Sequence, residues 1–520
     1  MSTASPTDTE PTTDPRSEDA VSVDSGLSPY EIGCAPAAEW YPLSSGQLAM
    51  WLTTQGGGSH GAYAVPGVYR LSGVLDGVVL RRAFEDLLRR HESLRTAFGV
   101  VDGVPRQRVV PGVELDWSLR VAGGGDGGVT GVVEEFVGRE FDLSAGRLLR
   151  VLLVRESADE HVLVVVAHHI AVDGWSLTVL IDQVMAAYQA FSSGGVPAIE
   201  APQLQYKDYA VWQQALLDSG EYDASRVYWR ERFGEGPEPL DLPTDRPRPA
   251  VRTYRGETTT RTFRSDVLRG LKGLCREERA TLFGGLSAVL RVLLLRYTGQ
   301  RDVVLGTSAA TRSVPELYEQ IGCYINSIGL RDEVCEGAAF RELLRTVQGT
   351  LQDGLRHHEY PFDRVVRDAG LVTDTNRNPL FDVMILVGNA WGRPSATPDG
   401  LRVESLGATN GHSKMDLTFF FEETSAGLRA SVEYSTELFG ADRVERMLDH
   451  FGVLLEEVVA GPDRAVESFG LLTPGEREQV VHGFNRTEVA YDLDSTVTQL
   501  FEEQVVRTPE AVATVDEEGS

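Results

Sequence analysis

The stretch Val162–Ser176, VLVVVAHHIAVDGWS, starts as an unbroken apolar run and ends in two adjacent histidines, an aspartate and a glycine. From Val162 to Ala167 both alternating faces are apolar, the pattern of a strand covered on both sides. Beyond it, Leu177, Leu180, Ile181, Val184, Tyr188 and Phe191 recur at helical spacing and make one stripe. The stretch predicts a strand, a turn and a helix, with His168 and His169 at the strand's end. Successive strand residues point to opposite faces, so the two imidazoles cannot enter one cavity. His168 is expected to pack and His169 to be available for chemistry. Asp173 can fix the turn through backbone hydrogen bonds or an arginine, and Gly174 lets backbone approach closely before the helix begins.

Working outward, the same alternation of strands and helices recurs on both sides. GAYAVPGVYRLSG reads as a strand, and VVLRRAFEDLLRRHESL places Leu80, Phe84, Leu87, Leu88 and His91 on one helical face. RLLRVLLVRE reads as a further strand. The density of proline and charge in EPLDLPTDRPRPAVRTYRGE marks a linker between two lobes. The opening residues, rich in Ser, Thr, Pro and Asp, hold too little apolar material to offset their ordering entropy. The expected organisation is a disordered tail over 1–36, one lobe over 37–215, a second over 216–475, and a linker with the start of another domain over 476–520. The glycine runs at Gly56–Gly58 and Gly123–Gly128 lack the GK[ST] ending of a phosphate loop and are expected to be flexible loops.

At 520 residues the chain is too long for one core. Hydrophobic residues make up 42% and charged residues 24%, values of a globular protein. The net charge of −28 argues against nucleic acid and anionic membranes as partners. Four cysteines, Cys34, Cys275, Cys323 and Cys335, show neither a disulfide framework nor metal-site spacing. No metal is expected, and a reducing, cytoplasmic location fits. The most apolar segment, LFGGLSAVLRVLLLRY, carries Arg291 and Arg296, so neither secretion nor a membrane span is expected.

HHIAVDG matches the His-His-x-x-x-Asp-Gly signature of the superfamily that includes chloramphenicol acetyltransferase and the condensation domains of nonribosomal peptide synthetases. Six further stretches stand in the order those domains show: LSSGQLAMWL (Leu43–Leu52), RHESLRTAF (Arg90–Phe98), YKDYAVWQ (Tyr206–Gln213), IGCYINSIGLR (Ile321–Arg331), HHEYPFDRVV (His357–Val366) and NRNPLFDVMI (Asn376–Ile385). The resemblance covers Trp40 to about Leu472, and LFEEQVVRTPEAVA resembles the start of an adenylation domain.

This resemblance implies an α/β fold (α+β, two-layer) of two chloramphenicol-acetyltransferase-like lobes, arranged as a V-shaped pseudo-dimer around a central tunnel. It implies amide formation between a donor acyl thioester and an acceptor α-amine. Both substrates would be carried on the 4′-phosphopantetheine of donor and acceptor carrier proteins, with no intrinsic cofactor and an adenylation domain as neighbour. His169 would be the catalytic imidazole, orienting the amine and then accepting its proton. His168, Asp173, Gly174 and Arg95 would support it, with Asp173 and Arg95 forming a structural ion pair and Gly174 offering an N–H to the oxyanion. Trp175, Ser176, Asn326 and Ser327 are the tunnel candidates, although Trp175 also fits a wall of the core.

The histidine pair disfavours the heterocyclising and oxygenase-recruiting variants, and Ala167 disfavours the β-lactam-forming one. Alternatives left open are a domain that also dehydrates a Ser or Thr residue of the donor, and a starter domain acylating the first amino acid. A non-catalytic docking module and a free coenzyme A-dependent acyltransferase fit less well.

Overall fold

The computed structural model describes residues 31–55, 61–122, 128–371, 376–388, 397–407, 410–490 and 494–514. The expected tail over 1–36 lies mostly outside the described residues, as do the glycine runs at 56–58 and 123–127. Up to Gly470 the chain forms one compact unit, and Leu471–Ser520 forms another.

In chain order the first half holds β1 (Tyr41–Pro42), α1 (Ser45–Gln55), β2 (Ala64–Gly73), α2 (Gly77–Arg90), β3 (Thr96–Val101), β4 (Val104–Val109), β5 (Asp116–Val121), α3 (Gly128–Val137), β6 (Leu149–Arg155), β7 (Glu160–His168), α4 (Gly174–Ser192) and α5 (Tyr206–Ser219). There follow α6 (Asp223–Phe233), β8 (Gly256–Arg264), α7 (Ser265–Glu277), α8 (Leu282–Thr298), β9 (Asp302–Ala310), β10 (Ile325–Glu333), α9 (Phe340–Arg356), α10 (Phe362–Asp368), β11 (Val383–Val387), β12 (Leu401–Ser405), β13 (Leu417–Thr424), β14 (Gly427–Ser435) and α11 (Ala441–Ala460). The second unit carries α12 (Pro474–Glu478) and α13 (Val497–Arg507).

Among the described residues three sheets result, ordered β1-β4-β3, β12-β2-β7-β6-β5 and β10-β9-β11-β13-β14-β8. Strand β7 is central in its sheet, and every residue from His161 to His168 is buried. This is the two-sided cover that its unbroken apolar run requires. On one face its side chains meet the apolar stripes of α2 and α4, where Leu80, Phe84, Leu87, Leu180, Ile181 and Val184 are buried. On the other, Val162, Val164 and Val166 meet Phe136 and Val137 of α3. Burying an aliphatic side chain of this size is worth about 1.5–3 kcal/mol. His91, placed on the α2 face by its spacing, instead caps the helix C-terminus and stays 1% exposed.

The proline-rich stretch 234–255 contains no helix or strand, and it is pinned along the second half: Asp245 N–H donates to Leu438 O at 2.8 Å. Helix α8 is almost wholly buried, and its Arg291 pairs with Asp332 at 2.6 Å while donating to the carbonyls of Ser287 and Leu330. Among the described residues no single helix is long and apolar enough to cross a membrane.

One connection places the site. Strand β12, from the second half, forms the edge of the first half's sheet, running antiparallel to β2 from Leu401 opposite Gly73 to Ser405 opposite Tyr69. The chain continues along β2: Leu406 N–H donates to Val68 O at 2.8 Å, and Asn410 Nδ2 donates to Ala64 O at 2.9 Å. The next residues therefore arrive where β2 meets the end of β7, since Ala64 pairs with His168.

Candidate active site

The backbone of β7 ends as its side chains change environment. His168 is 2% exposed; its Nδ1 accepts the Ile170 N–H at 3.1 Å, and its ring packs edge-on to Phe141 at 5.6 Å. His169 is the first residue of the turn, and its N–H donates to Tyr63 O at 2.8 Å. Its ring is half-buried and lies at the seam between the two halves, with Nδ1 4.0 Å from Cys323 Sγ. The two histidines thus separate as strand geometry requires.

Enclosure pushes the His169 imidazole down to about 4, and the Lys414 ammonium adds to the shift. Hydrogen bonding to the carbonyls of His169 and Val172, and the Asp173 charge, oppose it. The ring is neutral at neutral pH. Cys323 is not a competing nucleophile, because burial pushes its thiol up to about 12.

Asp173 caps α4, accepting the Ser176 N–H at 2.6 Å. It also holds the second half of the chain, taking the Tyr324 N–H at 2.9 Å and Arg312 Nη2 at 3.2 Å. Arg95 is therefore not its partner. The Arg95 side chain donates to the carbonyls of Val110 and Arg89 and lies 4.0 Å from Glu92. The residue that sequence reasoning missed is Arg312, which also donates to Ser176 Oγ at 2.7 Å and to Gln320 O at 2.9 Å.

The tunnel candidates divide. Ser176 is 0% exposed, with its hydroxyl bonded to Arg312 and to both backbone groups of Gly322, so it braces the framework and cannot line an open passage. Its position explains this: Ser176 lies one turn before Leu180, on the inward side of α4. Half-buried Trp175 donates from Nε1 to Tyr318 O at 2.9 Å and packs on that residue's ring at 5.9 Å, as a wall would. Gly174 opens α4 and is half-buried. Asn326 and Ser327, both half-buried, start β10. Asn326 Nδ2 donates to the carbonyls of His358 and Tyr360, both at 2.7 Å, and its Oδ1 accepts the Phe362 N–H at 3.0 Å. Ser327 stands opposite Ser308 of β9.

Several of the motif stretches meet around this seam. Tyr206 of α5 bonds Ser44 and the Cys323 carbonyl, each at 2.8 Å, and Ser93 Oγ donates to Ile321 O at 2.7 Å. His357 and His358 bond Ser225 and the carbonyls of Leu355 and Ala310, while Arg377 pairs with Asp382 at 2.7 Å. Among the described residues no three His, Cys, Asp or Glu side chains are grouped to hold a metal ion.

The sequence model of one family, the condensation domain, matches residues 37–481. This chain belongs to the condensation-domain family. It is 36% identical over 494 residues to tyrocidine synthase 3 of Brevibacillus parabrevis, covering 94% of the chain and 7% of that protein. With bacitracin synthase 1 of Bacillus licheniformis it shares 34% over 480 residues, covering 92% of the chain and 9% of that protein. The chain thus spans a small fraction of these relatives. Among solved structures, the X-domain from teicoplanin biosynthesis superposes with a TM-score of 0.78 at 26% identity, over 85% of this chain and 100% of that one. The first condensation domain of the CDA synthetase shares the fold, with a TM-score of 0.70 at 21% identity over 84% and 99%. The fold of this condensation domain is the chloramphenicol-acetyltransferase-like α/β fold.

Proposed function

We propose that this domain forms an amide bond between a donor acyl or peptidyl thioester and the α-amine of an acceptor aminoacyl thioester, in nonribosomal peptide synthesis. Both substrates would arrive on the 4′-phosphopantetheine of carrier proteins, and an adenylation domain would select the acceptor. The observation that carries the reading is His169: a neutral imidazole, half-buried at the seam, on a backbone whose N–H is held by Tyr63 O, and with its ring faced by Cys323 of the second half.

In the reaction the amine nitrogen attacks the thioester carbon, the C–N bond forms and the C–S bond breaks. The amine proton leaves with the carrier thiol. An α-amine has an ordinary pKa of about 7.7–8, so part of it is already neutral at pH 7. An imidazole held near 4 is a weak base for that proton but a good hydrogen-bond acceptor, so His169 acts first by orienting the amine. Near-attack positioning is worth roughly 10⁵ M or more of effective concentration, against about 10²–10⁴-fold for a well-matched base. His169 accepts the proton once addition has made the nitrogen cationic and far more acidic.

The test is intact mass spectrometry of an aminoacyl donor carrier and an aminoacyl acceptor carrier incubated with the domain. Growth of the acceptor by the donor acyl mass, lost in His169→Ala, is the expected result. A product lighter by one water would make this a dehydrating domain, and transfer only from a fatty-acyl donor would make it a starter domain. No transfer from any donor class would overturn the catalytic reading in favour of a docking module.

A further inference from the structure

The seam also holds a charged group, and the path of the chain brings it toward His169. After running along β2, the second-half segment turns at Asn410, whose Oδ1 accepts the His412 N–H at 3.0 Å. Gly61 makes room for this turn, because a Cβ there would stand 2.4 Å from the His412 ring. Ser413 N–H donates to Tyr254 O at 2.8 Å, and its hydroxyl donates to Met415 O at 2.7 Å. Asp416 is gripped by Arg248 and by Arg252, the latter at 3.3 Å. Both flanks of Lys414 are therefore fixed.

The Lys414 ammonium lies 5.4 Å from the centre of the Tyr63 ring, and Tyr63 is the residue whose carbonyl holds the His169 N–H. Its field reaches both the His169 ring and Cys323. Burial pulls the Lys414 ammonium below the ordinary lysine range, and Glu433 on β14 is the charge that opposes this and favours the cation. Among the described residues, however, no carboxylate oxygen comes within 4.0 Å of Lys414 and its ammonium makes no hydrogen bond to protein. A cation so enclosed and so loosely matched retains hydrogen-bonding capacity toward whatever enters the seam.

Amine attack creates charge of both signs at once. The nitrogen becomes positive, and the carbonyl π pair moves onto oxygen, which becomes negative until the thiolate departs. His169 answers the first charge, and for the second the sequence offers only the neutral Gly174 N–H, with no charged partner. We propose that Lys414 stabilises the oxyanion that forms on the donor thioester carbonyl, supplying from the second half of the chain the electrostatic partner to His169. The proposal rests on the condensation reading above. A fixed cation in a site of reduced dielectric acts on developing charge more strongly than water does, and a single oxyanion donor is commonly worth about 10²–10³ in kcat.

The experiment compares the full chain with Lys414→Met and Lys414→Arg, each checked for an unchanged thermal transition. Two readouts are taken: carrier-to-carrier transfer, and binding of two pantetheine-linked donor analogues, one with a tetrahedral phosphonate monoanion at the reacting carbon and one with a neutral amide. Lys414→Met should lower kcat about 10²-fold or more with little change in KM, and weaken the phosphonate at least tenfold while leaving the amide unaffected. Lys414→Arg should recover part of both losses. Transfer by Lys414→Met within threefold of wild type, or equal weakening of the two analogues, would overturn the proposal and leave Lys414 a structural counter-ion to Glu433. If the wild type transfers nothing, condensation fails as a reading, while the analogue pair still decides whether Lys414 recognises negative charge.

Discussion

Arg312 and Asp173 lie 139 residues apart in the chain, yet the Arg312 guanidinium meets the Asp173 carboxylate at 3.2 Å with both side chains almost fully buried. The same carboxylate caps α4 and takes the Tyr324 N–H, so one aspartate closes the histidine turn and fastens the second half of the chain to it. The Arg312 guanidinium is further enclosed by the Tyr324 ring, 4.3 Å away.

Removing one member of such a pair leaves the other charge buried and unmatched, at a cost of about 3–5 kcal/mol. Asp173→Ala and Arg312→Ala should each lower unfolding stability by this amount in urea titrations. The double variant should fall well short of the sum, because the second substitution removes the stranded charge. Arg95→Ala, whose side chain is partly exposed and 4.0 Å from its carboxylate, should change stability by less than about 1 kcal/mol. A large loss for Arg95 with none for Arg312 would reverse the assignment.

Gly322 supports the same junction by being small. A Cβ at this position would sit 2.2 Å from the Tyr206 ring and 2.5 Å from that of Tyr324, while its backbone bonds Ser176 Oγ through both N–H and C=O. Its φ is unexceptional, so the demand is for space and not for backbone freedom. Gly322→Ala should cost about 1–3 kcal/mol through overpacking, measured by chemical denaturation. Gly349→Ala, where a Cβ meets nothing within 4 Å, should be neutral or slightly stabilising because alanine is the better helix former.

How much of this was legible depended on whether the signal was local. The run Val162–Ala167 and the stripe from Leu177 to Phe191 announce a covered strand and an inward helix face, because burial imposes their periods directly on the sequence. The histidine turn follows from the same logic. The exchange of β12 is not legible: LRVES offers five alternating residues, and nothing in them names β2, more than three hundred positions earlier, as their partner. The choice between Arg95 and Arg312 fails for a similar reason, since either arginine could neutralise Asp173 and only the long-range fold brings Arg312 to it. A usable hint was present, because Arg312 belongs to the segment that continues into the IGCYINS motif. Ser176 was readable as well, because it lies on the buried face of α4. Lys414, between an irregular turn and a strand, carries no pattern that sets it apart from a surface lysine.

Asn326 is a clamp before it is a substrate contact. Its amide secures two carbonyls and one N–H of the segment from His358 to Phe362, joining the start of β10 to α10. Asn326→Ala strands these groups, at about 1–3 kcal/mol for a buried polar group left unsatisfied. Hydrogen exchange should show lost protection at Phe362 in particular, whose N–H has Asn326 Oδ1 as its acceptor. If protection there is unchanged while KM for the acceptor rises, Asn326 acts on substrate and the clamp is dispensable.

Two imidazoles make the fold sensitive to mild acid. His91, bonded through Nε2 to Gln183 at 2.7 Å, is pushed down to about 4 by burial, as is His169. In the unfolded chain each titrates near 6.5. Between pH 6.5 and 4 the unfolded state therefore binds more protons than the folded one, and stability falls as pH falls through this window. Each histidine contributes a slope of up to about 1.4 kcal/mol per pH unit. Urea titrations at pH 7.0 and 5.5 should show the loss in wild type, and His91→Gln and His169→Gln should each remove part of it. The same depressed value means that transfer catalysed by the wild type should show no break attributable to imidazole protonation near pH 6.5. A break near that value, absent from His169→Gln, would show that His169 is solvated like an ordinary histidine and works as a matched base.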